Sequence, residues 1–385
     1  MTFLSRWHYP TTSTGRDLRL DLLRGYCVAV MTIDHVGLFP AWTIGLTGNA
    51  MLWVSAAEGF LLIAGLVMGL VYRRLLVERG WRWSIRKVAR RAILLYAVGA
   101  LGHLIFDSGD YLLRIIRQRP SDVPTDYFTL LQSTLFQTRY APDGLSMMPF
   151  YALALLWGLG ALYGLQRGKW RWVLLISGLT WYGARFDPSA FTIFRIYFNF
   201  PIWQLLFIIG LVIGYHRAEL QRWGAKLPAR RLLRVTLIVT TVMMLLVSYQ
   251  VAYNGLGSDI AWVQPYGPFF DRVSLGVGRV LVSLWAFAGF YALLTLTWQA
   301  LNRILGWLLL PLGQHALTAF IWHAVTTYIV IHLPGWPFPD HDPTLMGFIH
   351  LGIILAIWAA TLTTVYVRTR WPLRRLSRSS VVAEA

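Results

Sequence analysis

Charge is scarce in this chain: Asp, Glu, Lys and Arg make up 14% of its 385 residues, against 56% hydrophobic, at a mean hydropathy of +0.53. Soluble globular chains are about a quarter charged, so disorder and a large water-soluble domain are both excluded. Acids are scarcer still, 17 against 35 Lys and Arg, for a formal charge of +18. Cysteine is nearly absent. Cys27 lies inside the first apolar run, which leaves no intrachain disulfide and no CxxC metal or redox pair. The nine His form no HxxxH or HExxH pattern, so no metal is expected. Met1 to Arg19 is polar and basic and lacks the short apolar stretch of a cleavable signal. No repeat of 20 to 50 residues is visible, nor the paired Gly/Pro-broken helices of inverted-repeat transporters.

Long apolar runs and aromatics are abundant. With 19 Trp, 18 Tyr and 20 Phe the chain can furnish both interfacial belts of a membrane protein. A helix needs ~20 residues to cross the hydrocarbon. The runs predict an all-α polytopic protein of ten spans, near 20–40, 49–72, 91–106, 146–165, 172–184, 199–216, 234–253, 274–298, 305–332 and 346–367. The fifth is short, as a tilted, re-entrant or cavity-lining helix would be. One transmembrane domain covers 1–385, with short cytoplasmic tails at 1–19 and 368–385. Placing the N-terminus in the cytoplasm, and counting Arg24 on that side, puts 27 of the 35 Lys and Arg there. Both termini are then inside. Because the basic residues lie between apolar runs, membrane orientation explains them and nucleic-acid binding is not expected. The segment from Arg73 to Arg91 carries eight basic residues with Trp81 and Trp83, and reads as a cytoplasmic loop against anionic lipid. An outer loop of about 40 residues separates the third and fourth spans; its stretches Tyr111–Arg117 and Tyr127–Phe136 have helix-like apolar spacing.

Ionisable groups inside spans are costly and mark chemistry, transport or interhelical ties. In the first span Asp21 and Arg24 share a helix face and can pair. Arg24 and His35 are eleven residues apart, about three turns, so they share a face about 16 Å apart. Glu58, among Ala56, Ala57 and Gly59, is placed at a depth overlapping that of His35. A His beside a carboxylate makes a general base of fixed tautomer; a purely structural hydrogen bond is the equal alternative. Other candidates are His323 in the ninth span, Arg279 inside the eighth, and Asn199, Trp203 and Gln204 at the start of the sixth, where amides and indoles can bind sugar hydroxyls.

Arg16-Asp17-Leu18-Arg19-Leu20-Asp21-Leu22-Leu23-Arg24-Gly25, followed by Asp34-His35, resembles the OpgC family, membrane proteins associated with succinylation of osmoregulated periplasmic glucans. Glu58 to Gly65 is similar to that family's second-helix motif, Trp203-Gln204 with Gly210 and Gly214 to its WQ helix, and Leu312-Gly313 through His323 to its late motif. At His315 this chain departs from the Ser usual in the family. The Arg24 to His35 spacing also resembles the Arg and His pair of the broader acyltransferase-3 group, whose His is regarded as catalytic.

The resemblance implies a multi-pass enzyme of the bacterial inner membrane. It would take a succinyl or acetyl group from cytosolic acyl-CoA, the donor substrate, to a hydroxyl of a glycan on the outer side, with no bound cofactor. In that reading His35 is the base, Glu58 its orienting carboxylate and His323 the alternative base. Arg19 and Arg24 meet the phosphates of acyl-CoA, and Asp34, Asn199, Trp203, Gln204 and Arg279 bind substrate. The competing class is a proton-coupled transporter of a polar or anionic solute, with Arg24, Glu58 and His35 along its path.

Overall fold

The computed structural model describes residues 8–10, 16–117, 128–129, 131–132, 145, 147–186, 199–264, 267–334, 336 and 341–382. Among them the chain is helical and no strand occurs. In chain order the helices are α1 (Leu18–Val36), α2 (Ile44–Thr47), α3 (Ala56–Arg117), α4 (Met147–Gln166), α5 (Trp170–Ala184) and α6 (Phe200–Tyr215). They continue with α7 (Arg217–Lys226), α8 (Arg230–Asn254), α9 (Val277–Gln314), α10 (Ala316–Ile331) and α11 (Pro343–Val382). By length and composition α3, α4, α8, α9 and α11 can each cross a membrane. A sixth joins them if α6 and α7, bent by 68°, count as one span, and α10 is a shorter apolar helix. This is a helical membrane protein.

Two expected loops are helical instead. The basic segment from Arg73 to Arg91 lies within α3, broken only at Gly80, whose φ of 75° a glycine adopts without a Cβ clash. Its Arg- and Leu-rich sequence favours helix, and Arg74 pairs with Glu78 one turn on at 2.6 Å. The connection between the eighth and ninth expected spans is likewise helical, with a kink at Thr297 inside α9. The real interruption of the ninth span is at His315, where α9 ends and α10 begins. The weak fifth span is the 15-residue α5. Of the outer loop, Tyr111–Arg117 belongs to α3, while most of Tyr127–Phe136 lies outside the described residues.

The chain forms two compact units, Met1–Ala50 with Phe287–Ala385, and Met51–Ala286, passing from one to the other after Ala50 and back within α9. In the first, α1 starts on Asp17, which accepts from Arg19 N–H at 3.1 Å, and ends at Gly37 in the left-handed conformation, φ 68°. Gly25 and Gly313 let α1 and α9 touch backbone to backbone: a Cβ on either would overlap a carbonyl of the other helix, Leu309 or Asp21. In the second unit Gly65 and Gly69 of α3 meet Gly210 and Gly214 of α6 in the same manner.

Candidate active site

The N-terminal end of α1 is bound into its own unit by a ring of polar contacts. Arg19 donates to Asp17 through Nε and Nη2, each at 2.9 Å, and through Nη1 to Thr295 at 2.7 Å. Its guanidinium lies between the rings of Tyr9 and Tyr291, 4.1 and 4.2 Å from their centroids. Tyr291 also donates its hydroxyl to Asp17 at 2.7 Å. Arg19 is thus engaged as a packing cation, only 8% exposed. Asp21 takes a two-pronged contact from Arg16, at 2.6 and 2.9 Å, where the spacing on α1 had suggested Arg24. Arg24 is half-buried one turn further along.

At the other end of α1, in its last turn, Nδ1 of His35 lies 3.0 Å from Nε2 of His323 on α10. The two side chains read from sequence as rival bases therefore form one pair. Two imidazoles at this distance share a single hydrogen, and the ring that donates decides what the other can do. When His35 donates, its Nε2 carries the lone pair and can accept a proton from a substrate hydroxyl. His323 is then protonated on Nδ1, which is buried and has no partner among the described residues. His35 is half-buried and His323 wholly enclosed, its ring also against Phe320 at 5.3 Å. Asp34 is half-buried beside His35, and His315 caps the start of α10.

In the second unit the buried carboxylate of Glu58 is taken by Arg279 Nε and by Ser55, whose backbone N–H donates at 2.9 Å and whose hydroxyl donates as well. Arg279 Nη1 reaches the carbonyls of Leu52 and Phe270 at 3.2 and 3.4 Å. The group expected to orient His35 is thus engaged by an arginine, and the ring that contacts His35 is His323. Glu58 also sits in the first turn of α3, because Ser55-Ala56-Ala57-Glu58 forms a helix-starting box in which the Glu reaches back to the capping residue. The helix thus begins at Ala56, later than the expected start at 49, and Glu58 lies in its first turn. The sequence carried this signal, read there only as small residues around a carboxylate.

Gln204 has no capacity left for a ligand. Its Oε1 accepts from Trp157 at 3.1 Å and Ser177 at 2.8 Å, and its Nε2 donates to the carbonyls of Ser177 and Pro201 at 2.9 and 3.2 Å. Trp203 is enclosed and donates to Val273 O at 3.4 Å. Asn199 caps the start of α6 by position, half-buried, without a side-chain cap bond. Sequence reasoning passed over Thr43 and His350, which meet at 2.8 Å in the first unit. An ionisable side chain in the apolar run of the last expected span was the available signal.

No group of three or more metal-ligating side chains occurs among the described residues. A family model described as OpgC protein matches residues 16–371, nearly the whole chain. The chain belongs to the OpgC family. No curated protein and no solved structure matches it. OpgC membership makes a membrane-embedded, glucan-modifying acyltransferase the coarse assignment, and gives the transporter class no support. The matched stretch includes His35 and His323, Arg24, and the Glu58–Arg279 pair.

Proposed function

We propose that this OpgC-family protein transfers an acyl group, succinyl or acetyl, from cytosolic acyl-CoA to a hydroxyl of an extracytoplasmic glucan, with His35 as general base. The observation that carries this reading is the His35–His323 contact at the end of α1. A sugar hydroxyl is a poor nucleophile until its proton is removed, and an imidazole held in one tautomer is suited to that task. His35 Nε2 takes the hydroxyl proton as the oxygen attacks the thioester carbonyl. The tetrahedral adduct then collapses with cleavage of the carbon–sulfur bond, and the proton leaves on the CoA sulfur. His323 holds the ring of His35 from behind and shares the transient positive charge.

Arg24, which shares a face of α1 with His35, is the proposed contact for the CoA phosphates, while Arg19 serves packing within its own unit. The proposal includes ten crossings of the bacterial inner membrane with both termini in the cytoplasm, which puts most basic residues inside. The deciding experiment is acylation of a glucan by purified protein in detergent, with succinyl-CoA and acetyl-CoA as alternative donors. Wild-type protein is expected to transfer one of them, and His35→Ala protein, equally well folded, is expected not to. Transfer by His35→Ala at the wild-type rate would refute the assignment.

A further inference from the structure

The segment that follows α1 is held down in an unusual way. Thr43 occupies the capping position of α2, where a threonine hydroxyl ordinarily accepts from the helix's own N–H groups. It makes no such bond. Its hydroxyl instead meets Nδ1 of His350 on α11 at 2.8 Å, across 307 positions of sequence, and both side chains are buried, 0% and 1% exposed. Nε2 of His350 has no partner among the described residues. Either His350 Nδ1–H donates to the Thr43 hydroxyl or the hydroxyl donates to Nδ1, as the tautomer of His350 dictates. A buried polar contact that overrides a local cap is a conflict between local and global preference, of the kind found where function constrains a fold.

The same segment is pinned at further points on the same element. Trp42 packs so closely on Gly347 that a Cβ there would overlap its indole, and Phe39 lies against the His350 ring at 5.6 Å. Val36, the residue after His35, packs with Met346 of α11 and Val330 of α10. Residues 37–47 are therefore a strap running from His35 to α11, and the element that receives the strap also packs on the helix carrying His323. The geometry points to the Thr43–His350 contact as a positioning latch: it sets the end of α1, and with it the registration of His35 on His323. This inference rests on His35 being the working base.

The test compares Thr43→Val, which keeps the shape and deletes the hydroxyl, with Thr43→Ser, and His350→Leu with His350→Asn, whose amide can donate from the place of Nδ1. kcat, KM for acyl-CoA, the pH profile of kcat and the melting temperature are measured in detergent for each. The latch predicts that Thr43→Val and His350→Leu lower kcat about 10- to 100-fold, the scale expected of a 1 Å misplacement. KM for acyl-CoA should stay within twofold, the pH profile should change, and Thr43→Ser and His350→Asn should recover most of the rate. Two results overturn it: Thr43→Val with wild-type kcat and pH profile, or losses that follow only the folded fraction and are not recovered by the conservative variants. His35→Ala, run alongside, separates the two levels. If it transfers normally, the reading of the site fails; if it is inactive while Thr43→Val is normal, only the latch fails.

Discussion

His35 and His323 meet through Nδ1 and Nε2 at 3.0 Å although 288 positions separate them in the chain. One imidazole can then accept substrate's proton while the other fixes its orientation and tautomer, a division of labour that a lone histidine lacks.

The pair makes a graded prediction. His35→Ala should reduce acyl transfer by about 10²- to 10⁴-fold, the usual contribution of a general base. His323→Leu should cost less, on the order of 10²-fold, since the base remains but its registration is lost. His323→Gln can place an amide oxygen where Nε2 stood, accept from His35 Nδ1–H, and should retain more activity than His323→Leu. Groups that act as a unit are strongly non-additive, so the double variant should be scarcely worse than His35→Ala alone. Initial-rate assays on the four proteins check this; full additivity would dissolve the pair.

The Glu58–Arg279 contact predicts a stability effect. Both side chains are enclosed, 0% and 1% exposed, so removal of one partner strands a buried charge, at a cost of about 3–5 kcal/mol. Arg279→Met and Glu58→Leu should each yield poorly folded protein, whereas the double variant should recover much of the loss. Thermal unfolding in detergent reads this directly. A well-folded Arg279→Met protein with only a raised KM for acceptor would instead assign Arg279 to substrate.

Much of the architecture was legible because lipid imposes simple rules. Apolar runs long enough to span and glycines in helix-packing motifs read off the sequence, and the runs are helical, but α3 continues through the basic segment between two of them and α9 through the connection after another. His35 and His323 were both visible as ionisable groups in apolar surroundings, but nothing in a linear sequence shows that residues so far apart share a hydrogen. The partners were the weak point. Asp21 had three arginines within a turn and a half, Arg16, Arg19 and Arg24, and the spacing argument favoured Arg24, which shares its helix face. Glu58 was read through its small neighbours, and the capping pattern with Ser55 went unread. Gln204 looked like a sugar-binding amide because its type suits that task, and only the positions of Trp157, Ser177 and Pro201 reveal that its four hydrogen-bonding positions are filled.

The α1–α9 crossing predicts sharp intolerance at two glycines. A Cβ on Gly313 would overlap the carbonyl of Asp21, and one on Gly25 that of Leu309; in both cases the obstacle is backbone, which cannot rotate away. Gly25→Ala and Gly313→Ala should each destabilise by about 1–3 kcal/mol or more, as overpacking does, and lower the yield of monodisperse protein. Gly160→Ala and Gly178→Ala are the controls, since nothing lies within 4 Å of the added atom at either site and both are helical. These should behave as wild type or slightly better, because alanine is the stronger helix former. Equal melting temperatures for all four would mean that α1 and α9 do not touch at these points.

On the polar helix α7, beyond the apolar run that ends at 216, Glu219 receives both terminal nitrogens of Arg73 at 2.7 Å, and these hydrogen bonds hold its carboxyl down to about 2 from an ordinary 4.5. A carboxylate depressed on folding stabilises the protein above its unfolded value, and that contribution is lost as pH falls from about 4.5 toward 2. The two side chains are 37% and 43% exposed, so solvent screening limits the pair to about 0.2–1 kcal/mol. Glu219→Gln should therefore melt slightly below wild type at neutral pH, with the gap narrowing as the buffer is taken below 4.5 and also as salt is raised. A gap that widens in acid would have the wrong sign for a salt-bridged carboxylate and would place the effect of the substitution elsewhere than in its contact with Arg73.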